Sequence, residues 1–291
     1  MSGRPRSRVV GLLVPFGPDA DHAGKLPFVE TVAAAVREHD HDLLLVTADD
    51  GVAGVHRLCD RGLVDALLLM EVESHDRRAL AARERGVPVV LIGVPEDPGQ
   101  THCVDVDFVA AGALAVAELA ACGCRSAALF GHPHDIVERG LGYVARFEGG
   151  AVAEAARREL PLQVLPPVDL DRAAVDAALD VVLSEEEEDG VLPGLVLPHP
   201  ESLPGVLAAL ADRGLVPGVH LAVVALCTDQ VAAALSPPLT SVSQEPLEVS
   251  RRAVEAVFGL LEGDDDDQRP RVELVRPRLT RRASTPATRS P

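Results

Sequence analysis

Aromatic residues are nearly absent from this chain. Tryptophan does not occur, and one tyrosine and six phenylalanines make up 2% of the 291 residues. Hydrophobic residues still account for 47% of the sequence, enough apolar surface for a folded core without disulfide support. The core must therefore be aliphatic, and the length accommodates two ordinary domains.

Positive charge is scarce as well. The chain has 27 basic and 45 acidic residues and a formal net charge of −18, and Lys25 is its single lysine. Binding to DNA or RNA requires clustered lysine and arginine to neutralise phosphates. The composition therefore argues against nucleic acid binding by this chain alone.

The five cysteines follow no regular spacing, which argues against a disulfide framework in a chain of this length. Cys122 and Cys124 are separated by one residue, whereas zinc-binding pairs usually have at least two residues between them. We interpret the cysteines as ordinary buried or half-buried thiols, and we expect neither a cofactor nor a structural metal.

Targeting and catalytic motifs are also missing. The sequence contains no secretory signal and no apolar run of about 18 residues, so we expect a cytoplasmic protein. It has no GxGxxG after a strand, no P-loop and no GxSxG motif, and no catalytic residue is predicted. His132, His134 and Asp135 follow a predicted strand and leave a metal-dependent enzyme as a rival interpretation, although no further ligand is evident nearby.

The first folded unit of the sequence is a strand followed by a helix. Val9–Val14 is almost entirely apolar, as in a strand buried on both faces of a parallel sheet, and Pro15 ends it. A helical pattern begins at Pro27. Ligands in open α/β sheets bind at the carboxyl ends of the strands, so the intervening loop is a candidate site.

The same alternation of strand and helix continues along the chain and predicts parallel sheets with right-handed crossovers. The further strands predicted are Leu43–Val46, Val64–Val72, Val87–Val94, His102–Asp107, Ser126–Phe130, Leu162–Val168, Leu192–Leu197 and Leu221–Leu226. The predicted helices are Pro27–His39, Gly51–Gly62, His75–Gly86, Phe108–Gly123 with Asp107 as its cap, Glu138–Glu159, Asp171–Leu183 and Leu203–Arg213. We interpret the acidic run Glu185–Asp189 as a solvated turn.

The last fifty residues add elements to sheets that are already built. Leu239–Gln244 predicts a strand, Pro246 opens an amphipathic helix, and Asp264–Asp267 predicts an exposed acidic loop. The alternating residues of Arg271–Arg282 predict an edge strand. A chain that returns to both sheets must pass between two lobes more than once.

Several segments together resemble the effector-binding core of the LacI/GalR family of bacterial transcription regulators. They include RSRVVGLLVP, RGLVDALLLM, RGVPVVLIG, VELVRPRLTRRAST and, most specifically, LSPPLTSVSQEPLEVSRRAVE at Leu235–Glu255. The resemblance covers about residues 6 to 285. It implies two Rossmann-like lobes of the periplasmic-binding-protein type, with parallel sheets flanked by helices and three hinge crossovers.

The resemblance also implies boundaries and partners. Residues 8–130 with 245–268 would form the N-terminal lobe and residues 131–243 with 270–282 the C-terminal lobe, while 1–7 would be a remnant of the hinge linker and 283–291 a disordered tail. A small-molecule effector, a sugar or related metabolite, would bind in the cleft between lobes. The protein would be a homodimer, with operator DNA bound only through a helix-turn-helix that we expect to be absent from this chain.

Nine residues are predicted to contact the effector by position-by-position resemblance, each against the plainer alternative of a core, surface or salt-bridge residue. They are Phe28, Glu71, Asp107, Arg139, Arg146, His199, Cys227, Asp229 and Gln244. Cys227 stands where relatives commonly carry a sugar-binding aspartate. A pocket without that carboxylate is expected to bind ordinary hexoses poorly. A free-standing solute-binding protein of a transport system remains an alternative function.

Overall fold

The computed structural model describes residues 7–16, 22–184, 193–263 and 269–286. Within these ranges the chain alternates strands and helices. The strands are β1 Val9–Leu13, β2 Asp42–Val46, β3 Ala66–Leu69, β4 Val89–Ile92, β5 His102–Val106, β6 Ala127–Leu129, β7 Leu162–Val164, β8 Gly194–Leu197, β9 Ala222–Leu226, β10 Thr240–Val242, β11 Val272–Val275 and β12 Leu279–Thr280. The helices are α1 His22–Glu38, α2 Gly51–Asp60, α3 Arg78–Arg83, α4 Phe108–Ala121, α5 His134–Glu138, α6 Gly142–Arg157, α7 Arg172–Val182, α8 Ser202–Asp212, α9 Asp229–Ala234 and α10 Pro246–Glu262.

The chain forms two compact units, each assembled from separate stretches of sequence. The first unit contains Met1–Val106, Gly140–Gly142 and Pro246–Val275. The second contains Asp107–Arg139, Tyr143–Glu245 and Arg276–Pro291. Each unit is built around one six-stranded sheet with helices packed on it, which confirms the predicted fold class.

The sheet of the first unit is entirely parallel, with the strand order β11-β5-β4-β3-β1-β2. All four residues of β3 are buried, as expected for a central strand covered on both faces. One layer of its core joins β3 and β4 to α2 and α3, and α1 packs against α10. The aliphatic composition of these strands is what lets helices cover the sheet.

The sheet of the second unit has the order β12-β10-β9-β8-β6-β7 and is parallel except for its edge strand β12. Its core packs β8 and β9 against α7 and α8, and the side chains of Leu195 and Leu197 are fully buried there. Asp171 accepts hydrogen bonds from two amides of the first turn of α7 and so caps it. Asp107 caps α4 in the same way, through the amide of Ala110, as predicted.

Two helices differ from the sequence prediction. Helix α1 begins at His22, and Pro27, the predicted start, lies inside it. Proline lacks one intrahelical hydrogen bond, but packing of α1 against α10 outweighs that local signal. The helix predicted for Glu138–Glu159 begins only at Gly142, as α6, because the chain turns at Gly140, whose φ is +63°; the short helix α5, which ends at Glu138, was not predicted.

The predicted edge strand Arg271–Arg282 is divided between the two sheets. β11 pairs with β5 in the first unit, and β12 pairs with β10 in the second. The predicted disordered tail is also wrong over residues 283–286, because Ser284 is completely buried against β9 and β10. The sequence signal there, a run of small and polar residues, does not reveal hydrogen bonds to distant strands.

The boundaries of the units differ from those predicted. We expected the first change of lobe near residue 130, but α4 and β6 belong to the second unit, where β6 pairs with β7 and β8. The chain passes between units after Val106, before Pro246 and after Val275, and Gly140–Gly142 is a short excursion that bonds to Val72 and Ser74. The number of main crossovers, three, agrees with the prediction.

Several predicted segments lie outside the described residues. They are most of the N-terminal linker remnant, the acidic runs Glu185–Asp189 and Asp264–Asp267, and the last five residues. Among the helices that the structure does describe, none is both long and apolar enough to span a bilayer.

Candidate functional site

At the carboxyl edge of the first sheet, Lys25, Glu71 and Arg78 are joined by ionic and hydrogen-bonding contacts, with Arg78 buried and the other two half-buried. The Lys25 ammonium lies 3.4 Å from a carboxylate oxygen of Glu71 and donates to the carbonyl of Pro15, directly after β1. Glu71 follows β3 with a φ of +54°, and the buried Arg78 guanidinium donates to its carbonyl at 2.9 Å. Lys25, which lies on α1, thus contacts Glu71, a predicted site residue that follows β3. Phe28 lies half-buried in α1 of the same unit.

The carboxyl edge of the second sheet gathers polar residues that are far apart in sequence. His132 follows β6, His199 follows β8, Cys227 follows β9 and Gln244 follows β10. These four strands are hydrogen-bonded neighbours in the order β10-β9-β8-β6, so the residues after them lie along one edge. Three of the four were predicted to contact the ligand, and the sheet topology explains why they meet.

A cluster of rings occupies this edge in the second unit. His132 packs edge-on against Tyr143, with ring centroids 5.7 Å apart, and against His199 at 6.1 Å. Tyr143 contacts Phe108 at 5.1 Å. The guanidinium carbon of Arg146 lies 5.5 Å from the centre of the Phe108 ring, in cation–π geometry. Two of the chain's seven Phe and Tyr residues are therefore concentrated at one edge of one sheet.

Beside the ring cluster, the second unit contains an open groove of about 460 Å³. It is bounded by the ends of β6 and β7, by the loop after β7, and by one face each of α5 and α6. Its lining residues are Leu129, Phe130, Gly131, His132, Val137, Val144, Glu148, Val164, Leu165, Pro166 and Pro167. His132 belongs to both the ring cluster and the groove.

Sequence comparison assigns a family to this architecture. Residues 116–285, more than half of the chain, match the periplasmic binding protein-like domain. The chain belongs to the periplasmic binding protein-like domain family. No curated protein matches its sequence.

Solved structures show the periplasmic binding protein-like fold over nearly the full length. A probable maltose operon transcriptional repressor, malR, from Staphylococcus aureus has a TM-score of 0.85 at 13% identity, covering 97% of this chain and 99% of that one. The transcriptional regulator CelR in complex with cellobiose has a TM-score of 0.76 at 22% identity, covering 96% and 85%. A LacI family regulator from Enterococcus faecium with bound ribose has a TM-score of 0.78 at 17% identity, covering 96% and 98%.

In this periplasmic binding protein-like chain, two predicted carboxylates already have partners in the second unit. Asp107 accepts the capping hydrogen bond of α4. Asp229 pairs with Arg282 at 2.8 Å and accepts a hydrogen bond from Ser241. Burial raises the pKa of Asp229, but hydrogen bonds, first of all from Arg282, outweigh it and hold the pKa below its usual value. A ligand that used Asp229 would have to share it with Arg282.

Cys227 is fully buried in the core of the second unit, as expected from the interpretation of the cysteines as buried or half-buried thiols, whereas the family resemblance predicts that it contacts the effector. The next residue, Thr228, caps the short helix α9, which the sequence analysis missed. Arg139 lies at the end of α5 and Arg146 on α6, each half-buried. Contact of any of these residues with a ligand stays a prediction.

Lys25 and Tyr143 were not predicted as site residues, and His132 was predicted only as a possible metal ligand. His134, its partner in that interpretation, lies on the surface beside Asp169 at 2.8 Å. In the part of the chain that the structure describes, no group of three or more His, Cys, Asp or Glu side chains is placed to hold a metal ion. Being the chain's one lysine and one tyrosine was the only available signal for Lys25 and Tyr143.

Burial of His132 predicts a pH-dependent stability. Burial lowers the pKa of His132 to about 4, whereas a histidine in an unfolded chain titrates near 6.5. The unfolded state therefore binds a proton first as the pH falls, and the contribution of neutral His132 is lost progressively below pH 6.5. We expect about 2 kcal/mol of unfolding free energy to be lost between pH 7.5 and pH 5.

The measurement is urea unfolding of the wild type and of His132→Phe at several pH values. Tyr143 is the chain's one tyrosine, tryptophan is absent, and Tyr143 lies in the second unit, so tyrosine fluorescence reports on that unit. The difference in unfolding free energy between the two proteins should change with pH by the stated amount. Parallel profiles would contradict the assignment to His132.

Proposed function

We propose that this chain is the ligand-sensing core of a LacI-type transcriptional regulator. The observation that carries the proposal is the agreement in fold with transcriptional regulators over 95% or more of this chain. Two of those regulators hold a sugar, cellobiose in one and ribose in the other. A sugar or related metabolite is therefore the proposed effector class.

Most of the proposed contacts closely follow a strand, whereas Phe28, Arg139 and Arg146 lie on or at the end of α1, α5 and α6. In the first unit the proposed contacts are Phe28 and Glu71. In the second unit they are Asp107, Arg139, Arg146, His199, Cys227, Asp229 and Gln244. Arginine donates fork-like hydrogen bonds that suit vicinal hydroxyls, and both arginines are half-buried in the second unit.

The proposed mechanism is a shift between two conformational states. An effector changes the population of the states only by the difference in its affinity for them. Effector binding thereby changes the affinity of the protein for operator DNA. The coupling free energy between two such sites is typically about 1–3 kcal/mol. In this scheme the protein acts in the cytoplasm as a homodimer, uses no cofactor and catalyses no reaction, and it binds operator DNA through a helix-turn-helix.

The alternative, a free-standing solute-binding protein, shares the fold but is less well supported. The structures compared above are all of transcriptional regulators. The regulator is therefore the preferred function.

The proposal is tested by a thermal-shift screen of the chain against sugars, sugar phosphates, nucleosides and small carboxylates. A ligand that binds only the folded state stabilises it by about 2.7 kcal/mol at a hundred times its dissociation constant. At least one sugar is expected to raise the melting temperature in a concentration-dependent way. If no compound of the four classes does so, the sensing function is contradicted.

Arginine variants test the proposed contacts once a sugar has been found. Arg139→Ala and Arg146→Ala are each expected to weaken its binding about tenfold or more, because a hydrogen bond from a charged group contributes about 1.5–3 kcal/mol. Isothermal titration calorimetry measures the change. Arg157→Ala is the matched control, since Arg157 is exposed on the same helix as Arg146 and pairs with Glu154. Unchanged affinity in both variants would remove the arginines from the site.

A further inference from the structure

The turn between α5 and α6 is held by a different unit from the helices that it joins. Gly140–Gly142 belongs to the first unit, whereas the chain on both sides of it belongs to the second. The amide of Ser74 donates to the carbonyl of Gly140 at 2.7 Å, and the amide of Gly142 donates to the carbonyl of Val72 at 3.1 Å. The turn is therefore docked on the loop that follows β3.

The sequence of the turn suits close docking. Leu141 is 4% exposed and forms an antiparallel β-bridge with Glu73. Gly140 adopts the left-handed region, with a φ of +63°, where residues with a Cβ atom are strained. A Cβ atom at Gly142 would overlap the carbonyl oxygen of Val94, in the loop after β4. A buried side chain between two glycines thus lets this backbone approach two loops of the first unit.

The loop that receives the turn is itself held in place. The buried guanidinium of Arg78 donates to the carbonyls of Met70 and Glu71, both at 2.9 Å, and to the carboxylate of Asp76 at 2.6 Å. The side chain of Asp76 is 2% exposed. Hydrogen bonds between ionised groups are shorter and stronger than those between neutral groups. These bonds close the loop without any contribution from the turn.

The docked turn lies between residues of the candidate site. Arg139 directly precedes it, Tyr143 of the ring cluster directly follows it, and Glu71 directly precedes the loop that receives it. The turn is a further link besides the three main crossovers, and it depends on two hydrogen bonds and the buried Leu141. A change in the arrangement of the units must break this link or displace the backbone beside Arg139 and Tyr143.

We propose that the Gly140–Gly142 turn is a latch, which restrains the two units while it is docked on Val72–Ser74 and is released when they change their arrangement. The release rests on the proposed function, because that function supplies the shift between two conformational states. The docking does not rest on it. Both are therefore measured on the full chain without any sugar.

Amide hydrogen exchange, followed residue by residue by NMR, tests the docking. Gly142→Ala is expected to raise the exchange rates of the amides of Ser74 and residue 142 about tenfold or more, because the added methyl group overlaps the Val94 carbonyl and opens both hydrogen bonds. Gly149→Ala is the matched control, since it adds the same group to the same helix where no atom lies within 4 Å. Unchanged exchange of both amides in Gly142→Ala would overturn the proposal.

Residual dipolar couplings test the restraint. The couplings of the amides in each unit give the degree of alignment of that unit in a dilute liquid crystal, and units that move independently align to different degrees. The difference between the two units is expected to be larger in Gly142→Ala than in the wild type or in Gly149→Ala. If the hydrogen bonds open and this difference stays at its wild-type value, the turn does not restrain the units and the proposal fails.

A second pair of variants reaches the latch from the loop. Ser74→Pro removes the amide that donates to Gly140, whereas Ser74→Ala keeps it. Glu73, the preceding residue, forms a β-bridge and so has the extended backbone that a following proline favours. The amide of Gly142 is expected to exchange about tenfold faster or more in Ser74→Pro and at the wild-type rate in Ser74→Ala. Equal rates in these two variants would overturn the proposal, even where Gly142→Ala does not fold.

The latch and the sensing function fail separately. A thermal-shift screen without a hit contradicts sensing but leaves the exchange rates and the alignment of the units as measured. A latch that fails its own tests leaves any measured sugar affinity in place, because none of the four variants changes a predicted sugar contact.

Discussion

Replacing Gly150 with alanine is expected to lower the unfolding free energy of the second unit by about 3 kcal/mol or more. A Cβ atom at Gly150 would overlap the carbonyl oxygen of Val109 and lie 2.8 Å from its carbonyl carbon. Overpacking typically costs about 1–3 kcal/mol when side chains can move aside. Here the obstructing atoms are backbone atoms of α4, so the two helices themselves must separate. Urea unfolding followed by the fluorescence of Tyr143 measures the effect.

The neighbouring residue provides the control. Gly149 lies in the same helix, α6, and a Cβ atom there would meet no atom within 4 Å. Because glycine is a poorer helix former than alanine, Gly149→Ala is expected to raise the unfolding free energy by about 0.5–1 kcal/mol. Opposite effects at adjacent positions would establish close contact of α4 and α6. Equal effects at the two positions would show that the helices do not approach so closely.

Ending the chain at Thr280 is expected to destabilise the second unit by about 5 kcal/mol. The hydroxyl of Ser284 donates to the carbonyl of Val223 at 2.6 Å and accepts from the amide of Thr240 at 2.7 Å. The guanidinium of Arg281 donates to the buried carboxylate of Glu118. Removing these partners leaves at least three buried polar groups unsatisfied, at about 1–3 kcal/mol each.

The matched comparison is a chain that ends at Pro286. It retains Ser284 and Arg281, so the difference between the two shortened chains isolates residues 281–286. Urea unfolding monitored by Tyr143 fluorescence gives both free energies. If the two chains unfold at the same urea concentration, the hydrogen bonds of this segment do not contribute to stability.

The order and type of most elements were predictable because each carries a local signal. Buried parallel strands require continuous apolar runs, and β1, β3, β4, β8 and β9 all have them. The elements that were missed or misplaced depend on distant contacts. The turn at Gly140 and the burial of Ser284 are examples, since each is fixed by hydrogen bonds to residues more than sixty positions away. A single sequence does not encode such pairings in any local pattern.

The candidate site was only partly predictable for a related reason. The family resemblance predicted His199, Cys227 and Gln244, and the structure places them after β8, β9 and β10, at the edge where ligands bind in parallel sheets; their contact with a ligand stays a prediction. The resemblance did not indicate that Cys227 packs into the core or that Arg282 forms an ion pair with Asp229. The direction and the partners of a side chain depend on the register of its strand. For Asp229 they also depend on Arg282, which follows β12 in the C-terminal segment. Lys25 and Tyr143 were missed because neither lies at the end of a strand.

The chain passes between the two units several times, so neither unit has all of its elements until late in synthesis. The first unit lacks α10 and the edge strand β11 until residue 275 has left the ribosome. The second lacks β12 and the buried Ser284 until the last few residues have emerged. Domains usually fold one after the other as they are translated. Here both units are completed only when residues 272–284 have been made, so a translation product that stops before them would contain two incomplete sheets with unpaired edges, open to aggregation.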